Sequence, residues 1–210
     1  MKKNNSTDGF GYDLDEALKK GNFIEKFFHK CRISPWLNKI DYNGKKVLDV
    51  GCNTGILLIP LLEKGVDAIG VDISKSDIRK AQKKLQAKGF SSSLVLIADA
   101  KKLPFKNDSF DIVLLSDILE HVSEPELVAK ETCRVVKQNG NIYATVPNEM
   151  HPVVKFEWLR KALSGRETVE EHPDEPYNLN KLINLFPNVL VEKSGFAGFW
   201  VQIFCKFKKI

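Results

Sequence analysis

Between Gly44 and Val146, short apolar runs alternate with longer amphipathic ones, and this rhythm constrains the fold more than any other feature. Val47-Leu48-Asp49-Val50, Ala68-Ile69-Gly70-Val71, Leu94-Val95-Leu96-Ile97, Ile112-Val113-Leu114-Leu115 and the run from Ile142 to Val146 are almost continuously apolar. Strands read this way when a parallel sheet is covered on both faces. The segments between them supply covering helices. Lys75 to Lys88 carries Ile78, Ala81 and Leu85 on one stripe and lysines elsewhere, as a surface helix does. Ser74 with Asp77, and Ser123 with Glu126, have the spacing of helix-starting caps. Gly65, Gly89 and Gly140 fall where helices are expected to stop.

The end of the chain changes rhythm. Val189 to Val191 reads as a strand. Phe199, Val201, Ile203, Cys205 and Phe207 then alternate with Trp200, Gln202, Phe204, Lys206 and Lys208. Only Glu192 to Gly198 intervenes, too little for a crossover helix, so these two strands must be antiparallel. The predicted fold class is α/β, a parallel helix-covered sheet closed by an antiparallel hairpin.

A chain of 210 residues suits one domain with a full core. Residues 1–40 read as an N-terminal helical extension, the first nine or so disordered. Its Phe23, Phe27, Phe28 and Trp36 are expected to pack as core. Residues 41–210 form the main domain. A lid-like insertion over 147–177 carries Phe156, Trp158, Leu159, Ala162 and Leu163 at helical spacing. The net charge of +5 owes much to Lys2, Lys3, Lys206, Lys208 and Lys209 near the two ends. It reads as a solvated surface, and no nucleic-acid partner is expected. Cys31, Cys52, Cys133 and Cys205 form no CxxC pair and no metal-spaced cluster, so free thiols in a reducing compartment are expected. Met1 to Asp8 is polar, unlike a signal peptide, and the apolar runs are too short to span a bilayer. The expected location is the cytoplasm.

Open α/β sheets bind ligands outside the carboxyl ends of their strands. The first strand ends in Asp49-Val50-Gly51-Cys52-Asn53-Thr54-Gly55, where glycines let backbone N–H groups approach a ligand. The second ends in Asp72, whose two carboxylate oxygens suit the paired hydroxyls of a ribose. Asp72 could instead cap the next helix, but Ser74 with Asp77 already supplies that cap. The third ends in Asp99-Ala100. Asp99 can accept from an exocyclic amine and the Ala100 N–H can donate to a ring nitrogen, while the plainer alternative is a turn aspartate. The glycine stretch is neither a G-x-G-x-x-G dinucleotide fingerprint nor a G-K-[ST] phosphate loop.

Together, VLDVGCNTG (Val47–Gly55), VDIS (Val71–Ser74), IADAKKLPFKNDSFDIVLLSDILEHV (Ile97–Val122) and Gly195-Phe196 resemble the class I S-adenosylmethionine-dependent methyltransferases. The likeness is to the small-molecule branch that includes ubiquinone-, menaquinone- and glycan-type enzymes, and it spans about Gly44 to Phe207. It implies a Rossmann-like, doubly wound, seven-stranded sheet of order 3-2-1-4-5-7-6, strand 7 antiparallel, with helices on both faces. It implies S-adenosyl-L-methionine as cofactor. Asp49, Gly51, Cys52, Asn53, Thr54 and Gly55 would cradle the methionine half. Asp72 would hold the ribose, Ile73 would pack on the adenine, Asp99 and Ala100 would read its edge, and Ser116 would line the methionine end. Asn53 departs from the glycine usual in the family, yet asparagine tolerates left-handed backbone.

The family reaction is direct displacement at the sulfonium methyl, governed by alignment of reacting atoms ~3–3.5 Å apart. A hydroxyl acceptor must also lose its proton, and histidine is the natural base near neutral pH. His172 and His121 are the catalytic candidates. His151 is a weaker one, and His29 reads as structural. No pair has metal-ligand spacing, so no metal is expected. The predicted activity is methyl transfer to a small molecule at oxygen, the acceptor being a sugar, glycolipid or quinone-like compound and the protein a monomer or homodimer. Two rivals remain: a nucleic-acid or protein methyltransferase, disfavoured because Ser116-Asp117-Ile118-Leu119 replaces an N/D-P-P-Y signature, and a cofactor-binding docking protein without turnover.

Overall fold

The structure, a computed structural model, describes residues 38–148, 150–152, 176–197 and 202–210. β1 (Lys46–Val50) is followed by α1 (Leu58–Glu63), β2 (Asp67–Asp72), α2 (Lys75–Ala87), β3 (Val95–Ile97) and β4 (Phe110–Ser116). Then come α3 (Pro125–Val135), β5 (Val136–Pro147), α4 (Leu179–Asn184), β6 (Val189–Ala197) and β7 (Gln202–Lys209). The seven strands lie in the order β3-β2-β1-β4-β5-β7-β6. β1 pairs in parallel with β2 and β4, β2 with β3, and β4 with β5. β7 runs antiparallel between β5 and β6. The order and the single reversed strand are those the resemblance implied.

Strand alternation divides the core between the two faces. Val47, Ile112 and Leu114 face α1 and α2, packing with Leu58, Leu61, Ile78, Ala81 and Leu85. Leu48, Val50, Val113 and Leu115 face the other way, packing with Val128 and Ala129 of α3 and Leu182 of α4. Ile203, Cys205 and Phe207 of β7 join that second cluster, as their alternation predicted. The expectation of helices on both faces therefore holds, and the chain reverses its winding at the β1–β4 boundary. In open α/β sheets such a switch point, outside the carboxyl ends of the strands, is where ligands bind.

Local signals held unevenly. Ser74 caps α2, its hydroxyl accepting from the Asp77 N–H at 3.2 Å. Gly65 and Gly89 take φ of +78° and +80° just beyond α1 and α2. Ser123 does not cap α3: Glu124 is its N-cap, without a side-chain bond, and Pro125 opens the helix. Proline needs no capping acceptor there because it has no N–H to satisfy. Gly140 does not end a helix either. α3 passes directly into β5, which starts six residues earlier than its apolar run suggests, at Val136. β6 runs on to Ala197, so most of the segment read as a link is strand, with a register shift between Val191 and Lys193. The N-terminal extension and most of the lid-like insertion, with their aromatic residues, lie outside the described residues.

Candidate functional site

Three aspartates stand at the tips of three neighbouring strands. Asp49 precedes the last residue of β1, Asp72 ends β2, and Asp99 follows β3 by two residues. The chain leaves β1 through left-handed Gly51 (φ +76°), Asn53 (φ +49°) and Gly55 (φ +83°). Asn53 thus adopts the left-handed conformation that asparagine tolerates better than most residues. Gly51 and Cys52 both donate backbone N–H to the Val71 carbonyl, at 2.8 and 3.0 Å, which lashes the loop to β2. Asp72 adds a second tie. Its Oδ2 accepts from Asn53 N–H and its Oδ1 from Ser74 N–H, both at 2.9 Å. Asp72 thus does not cap α2, whose N-cap is Ser74; its carboxylate ties the loop to the chain leading into that helix.

Not every residue of the loop faces the cleft. The Cys52 side chain is buried, and a Cβ on Gly70 would lie only 2.8 Å from its Sγ. The Cys52 N–H goes to Val71 and its carbonyl accepts the Gly55 N–H at 2.9 Å, so Cys52 shapes the loop from within. Thr54 is fully buried and receives a hydrogen bond from Lys84 Nζ at 3.0 Å, so its hydroxyl belongs to the α2 side. Asp99 does make the turn that the plainer reading gave it: its Oδ1 accepts from Lys101 N–H at 2.9 Å. Ala100 is buried beside it, and Ser116, half-buried, ends β4 opposite Thr145. Ile73 is 55% exposed, an apolar side chain open to a planar ring.

Burial dominates the electrostatics. Asp49 is 2% exposed and its Oδ2 has no hydrogen-bond partner among the described residues. Burial first, and then the nearby charge of Asp72, push it up to about 7. Asp72 is also raised by burial, opposed by the N–H groups of Ser74 and Asn53. An orphaned, buried carboxylate oxygen wants a donor, and best of all a cationic one.

The histidines separate. His121 lies in a 3₁₀ turn, Leu119–His121, just past β4, with Nε2 3.9 Å from the buried Glu120 carboxylate. His151 follows β5, half-buried, its N–H bonded to the Asn148 carbonyl at 2.9 Å. His172 and His29 lie outside the described residues. Among the described residues no group of three or more His, Cys, Asp or Glu could hold a metal ion, and Cys52, Cys133 and Cys205 are free thiols.

Sequence reading missed a polar cluster at the same edge of the sheet. Gln202, the first residue of β7, donates from Nε2 to Asp117 Oδ1 and Oδ2 at 3.0 and 2.9 Å. The Thr145 hydroxyl lies 3.3 Å from Asp117 Oδ1, and the Asp117 N–H bonds the Thr145 carbonyl at 3.1 Å. Asp117 has a left-handed φ of +51°, and its follower Ile118 covers Gly51. The one available signal was an acidic residue immediately past Ser116 at a strand tip.

Residues 48–144 match the family model described as a methyltransferase domain. The chain carries a class I, S-adenosylmethionine-dependent methyltransferase domain. A ubiquinone biosynthesis O-methyltransferase of Pseudomonas fluorescens is 29% identical over 176 residues, 80% of this chain and 70% of that one. A counterpart from another strain of that species is 29% identical over 137 residues, covering 61% of this chain and 58% of its own length. A third, from Bartonella bacilliformis, is 32% identical over 107 residues, and the match spans only 43% of its length. Two solved structures share the fold. A Pyrococcus horikoshii protein has a TM-score of 0.72 at 21% identity, covering 95% of this chain and all of that one. An S-adenosylmethionine-dependent methyltransferase of Thermotoga maritima has a TM-score of 0.69 at 18% identity, covering 94% and 95%.

This methyltransferase domain presents residues that fit S-adenosylmethionine. The orphaned Asp49 Oδ2 matches a primary ammonium, the Asp72 carboxylate a pair of hydroxyls, and exposed Ile73 a purine face. Among the described residues no helix is long and apolar enough to cross a membrane.

Proposed function

We propose that this protein transfers the methyl group of S-adenosylmethionine to an oxygen of a small-molecule acceptor, a sugar, glycolipid or quinone-like compound. The observation that carries the reading is the convergence of Asp49, Asp72 and Asp99 on the tips of β1, β2 and β3, with a buried carboxylate oxygen lacking a donor. Oxygen and a small acceptor draw support from relatives named for O-methylation in ubiquinone biosynthesis.

When bound, the cofactor would supply an electrophilic methyl, held on a sulfonium, to the acceptor oxygen. The protein's share is placement. Asp49 and the backbone of Gly51–Gly55 hold the amino-acid half. Asp72 holds the ribose, Ile73 packs on the adenine, Asp99 and Ala100 read its edge, and Ser116 borders the methionine end. The acceptor's proton passes to a histidine, His121 or His172, or to water. The protein works in the cytoplasm as a monomer or homodimer.

The test is incubation with methyl-labelled S-adenosylmethionine and fractionated small-molecule extract, followed by mass identification of the labelled product. A labelled ether is the expected result. Label in RNA or protein would move the acceptor class. Failure of well-folded protein to bind either S-adenosylmethionine or its demethylated product at millimolar concentration would end the reading.

A further inference from the structure

Gln202 heads β7 at the edge of the sheet where β5 and β6 end, paired with Pro147 on one side and Ala197 on the other. It is 2% exposed. Its amide has two unlike ends, a donor and an acceptor, and the Asp117 carboxylate fixes which is which. Two carboxylate oxygens at 3.0 and 2.9 Å can face only the NH₂ end, since the carbonyl end would repel them. The Thr145 hydroxyl stands 3.5 Å from the same NH₂ group. Oε1 is therefore turned away from Asp117. It is buried and has no hydrogen-bond partner among the described residues. Leaving such an acceptor unsatisfied is costly, and native structures rarely do so without a reason.

The location supplies a reason. Asp117 is the residue after β4, and Ile118 beside it lies against the glycine loop, its Cδ1 2.8 Å from where a Gly51 Cβ would stand. The cluster thus borders the methionine end of the cradle rather than the adenine end.

We propose that Gln202 Oε1 accepts a hydrogen bond from the methyl acceptor, which must therefore carry an O–H or N–H group near the methylated atom. Asp117 and Thr145 are positioning residues that hold the amide in this orientation. The inference rests on the methyltransferase reading and narrows its substrate class to hydroxyl- and amine-bearing molecules, against acceptors that offer only a carboxylate or a tertiary amine.

The experiment supplies the full chain with methyl-labelled S-adenosylmethionine and a panel of probes. Catechol, 4-hydroxybenzoate, glucose and aniline carry donors, while benzoate and N,N-dimethylaniline do not. Gln202→Lys is the informative variant, because the ammonium still donates to Asp117 but offers no acceptor. If the lysine variant does not fold, the wild-type protein's choice between donor-bearing and donor-free probes decides the matter. The expected result is transfer to a donor-bearing probe, with KM for that probe raised about 10- to 100-fold in the variant while kcat and cofactor affinity stay within about threefold. A merely structural role would be served by lysine and would leave KM unchanged, which overturns the proposal. Wild-type protein that binds the cofactor but labels only donor-free probes, or none, also overturns it and leaves the cofactor site standing. Protein that binds no cofactor removes the methyltransferase reading and this inference together.

Discussion

Asp49 and Asp72 face one another's charge across the tips of adjacent strands, and Asp49, the deeper of the two, yields. Burial and then the Asp72 charge push it up to about 7, far above an ordinary aspartate. The native state therefore holds a proton that the unfolded chain has already released. Stability from this group is fully present below the unfolded value near ~3.9 and is lost as pH rises through about 7. Without cofactor, the protein should resist urea better at pH 5.5 than at pH ~8, and Asp49→Asn should flatten that difference and stabilise the protein at the higher pH. Urea unfolding of the two proteins at both pH values checks this, and equal pH dependence would sink it.

The same proton couples to the cofactor. An ammonium placed against Asp49 favours the ionised carboxylate, so binding at slightly acid pH must expel the proton. S-adenosylmethionine affinity should fall as pH drops below about 7, approaching tenfold per unit. Calorimetry in buffers of different ionisation enthalpy reads the released proton directly. Binding without proton release at pH ~6 would separate Asp49 from the ammonium.

Asp72 ties the Asn53 N–H, and in the proposed function it also offers its carboxylate to a ribose. Asp72→Ala should weaken cofactor binding by ~1.5–3 kcal/mol, because it removes charge-assisted bonds and releases the glycine loop at once. Calorimetric titration measures it, with thermal unfolding as the control for global loss. Unchanged affinity would remove Asp72 from the site.

Much of this architecture was legible because its strands are covered on both faces, so β1, β2 and β4 read as almost continuously apolar runs. β5 was legible only in its second half. Gln138-Asn139-Gly140 has the composition of a turn, yet Asn139 takes the left-handed conformation inside a strand. A Cβ on Gly140 would meet the Lys137 carbonyl at 2.8 Å. The three strand-tip aspartates were legible because topology alone puts them at one edge. The directions of Cys52 and Thr54 were not, since three left-handed residues in one loop abolish any simple alternation. The Gln202–Asp117 bond joins residues 85 apart in sequence, and no local pattern announces it.

The loop that delivers Asp99 and Ala100 hangs on one side chain. Arg134 donates to the carbonyls of Leu103 and Phe105 at 3.0 and 2.7 Å and pairs with Glu131 at 2.7 Å. Glu131 in turn accepts the Leu103 N–H at 2.8 Å, and the Arg134 hydrogen bonds hold its carboxyl below the ordinary range. Arg134→Lys keeps the charge but cannot reproduce the fork. It should cost about 2 kcal/mol of stability and speed amide exchange across 99–105 ahead of the rest of the sheet. Uniform exchange would show that the loop stands without the arginine.

Gly51 meets two separate constraints, and they can be told apart. Its φ of +76° disfavours any side chain, by about 1–2 kcal/mol. A Cβ there would also lie 2.8 Å from Ile118 Cδ1, and overpacking costs about 1–3 kcal/mol. Gly51→Ala should thus lose about 2–5 kcal/mol by urea unfolding. Ile118→Ala should lose less, since Ile118 is only half-buried. In the double variant the methyl has room, so the collision disappears and only the backbone cost remains. The two losses should therefore fall short of additivity by about 1 kcal/mol or more. Strict additivity would mean that Ile118 moves aside freely and that the Gly51 backbone alone requires glycine.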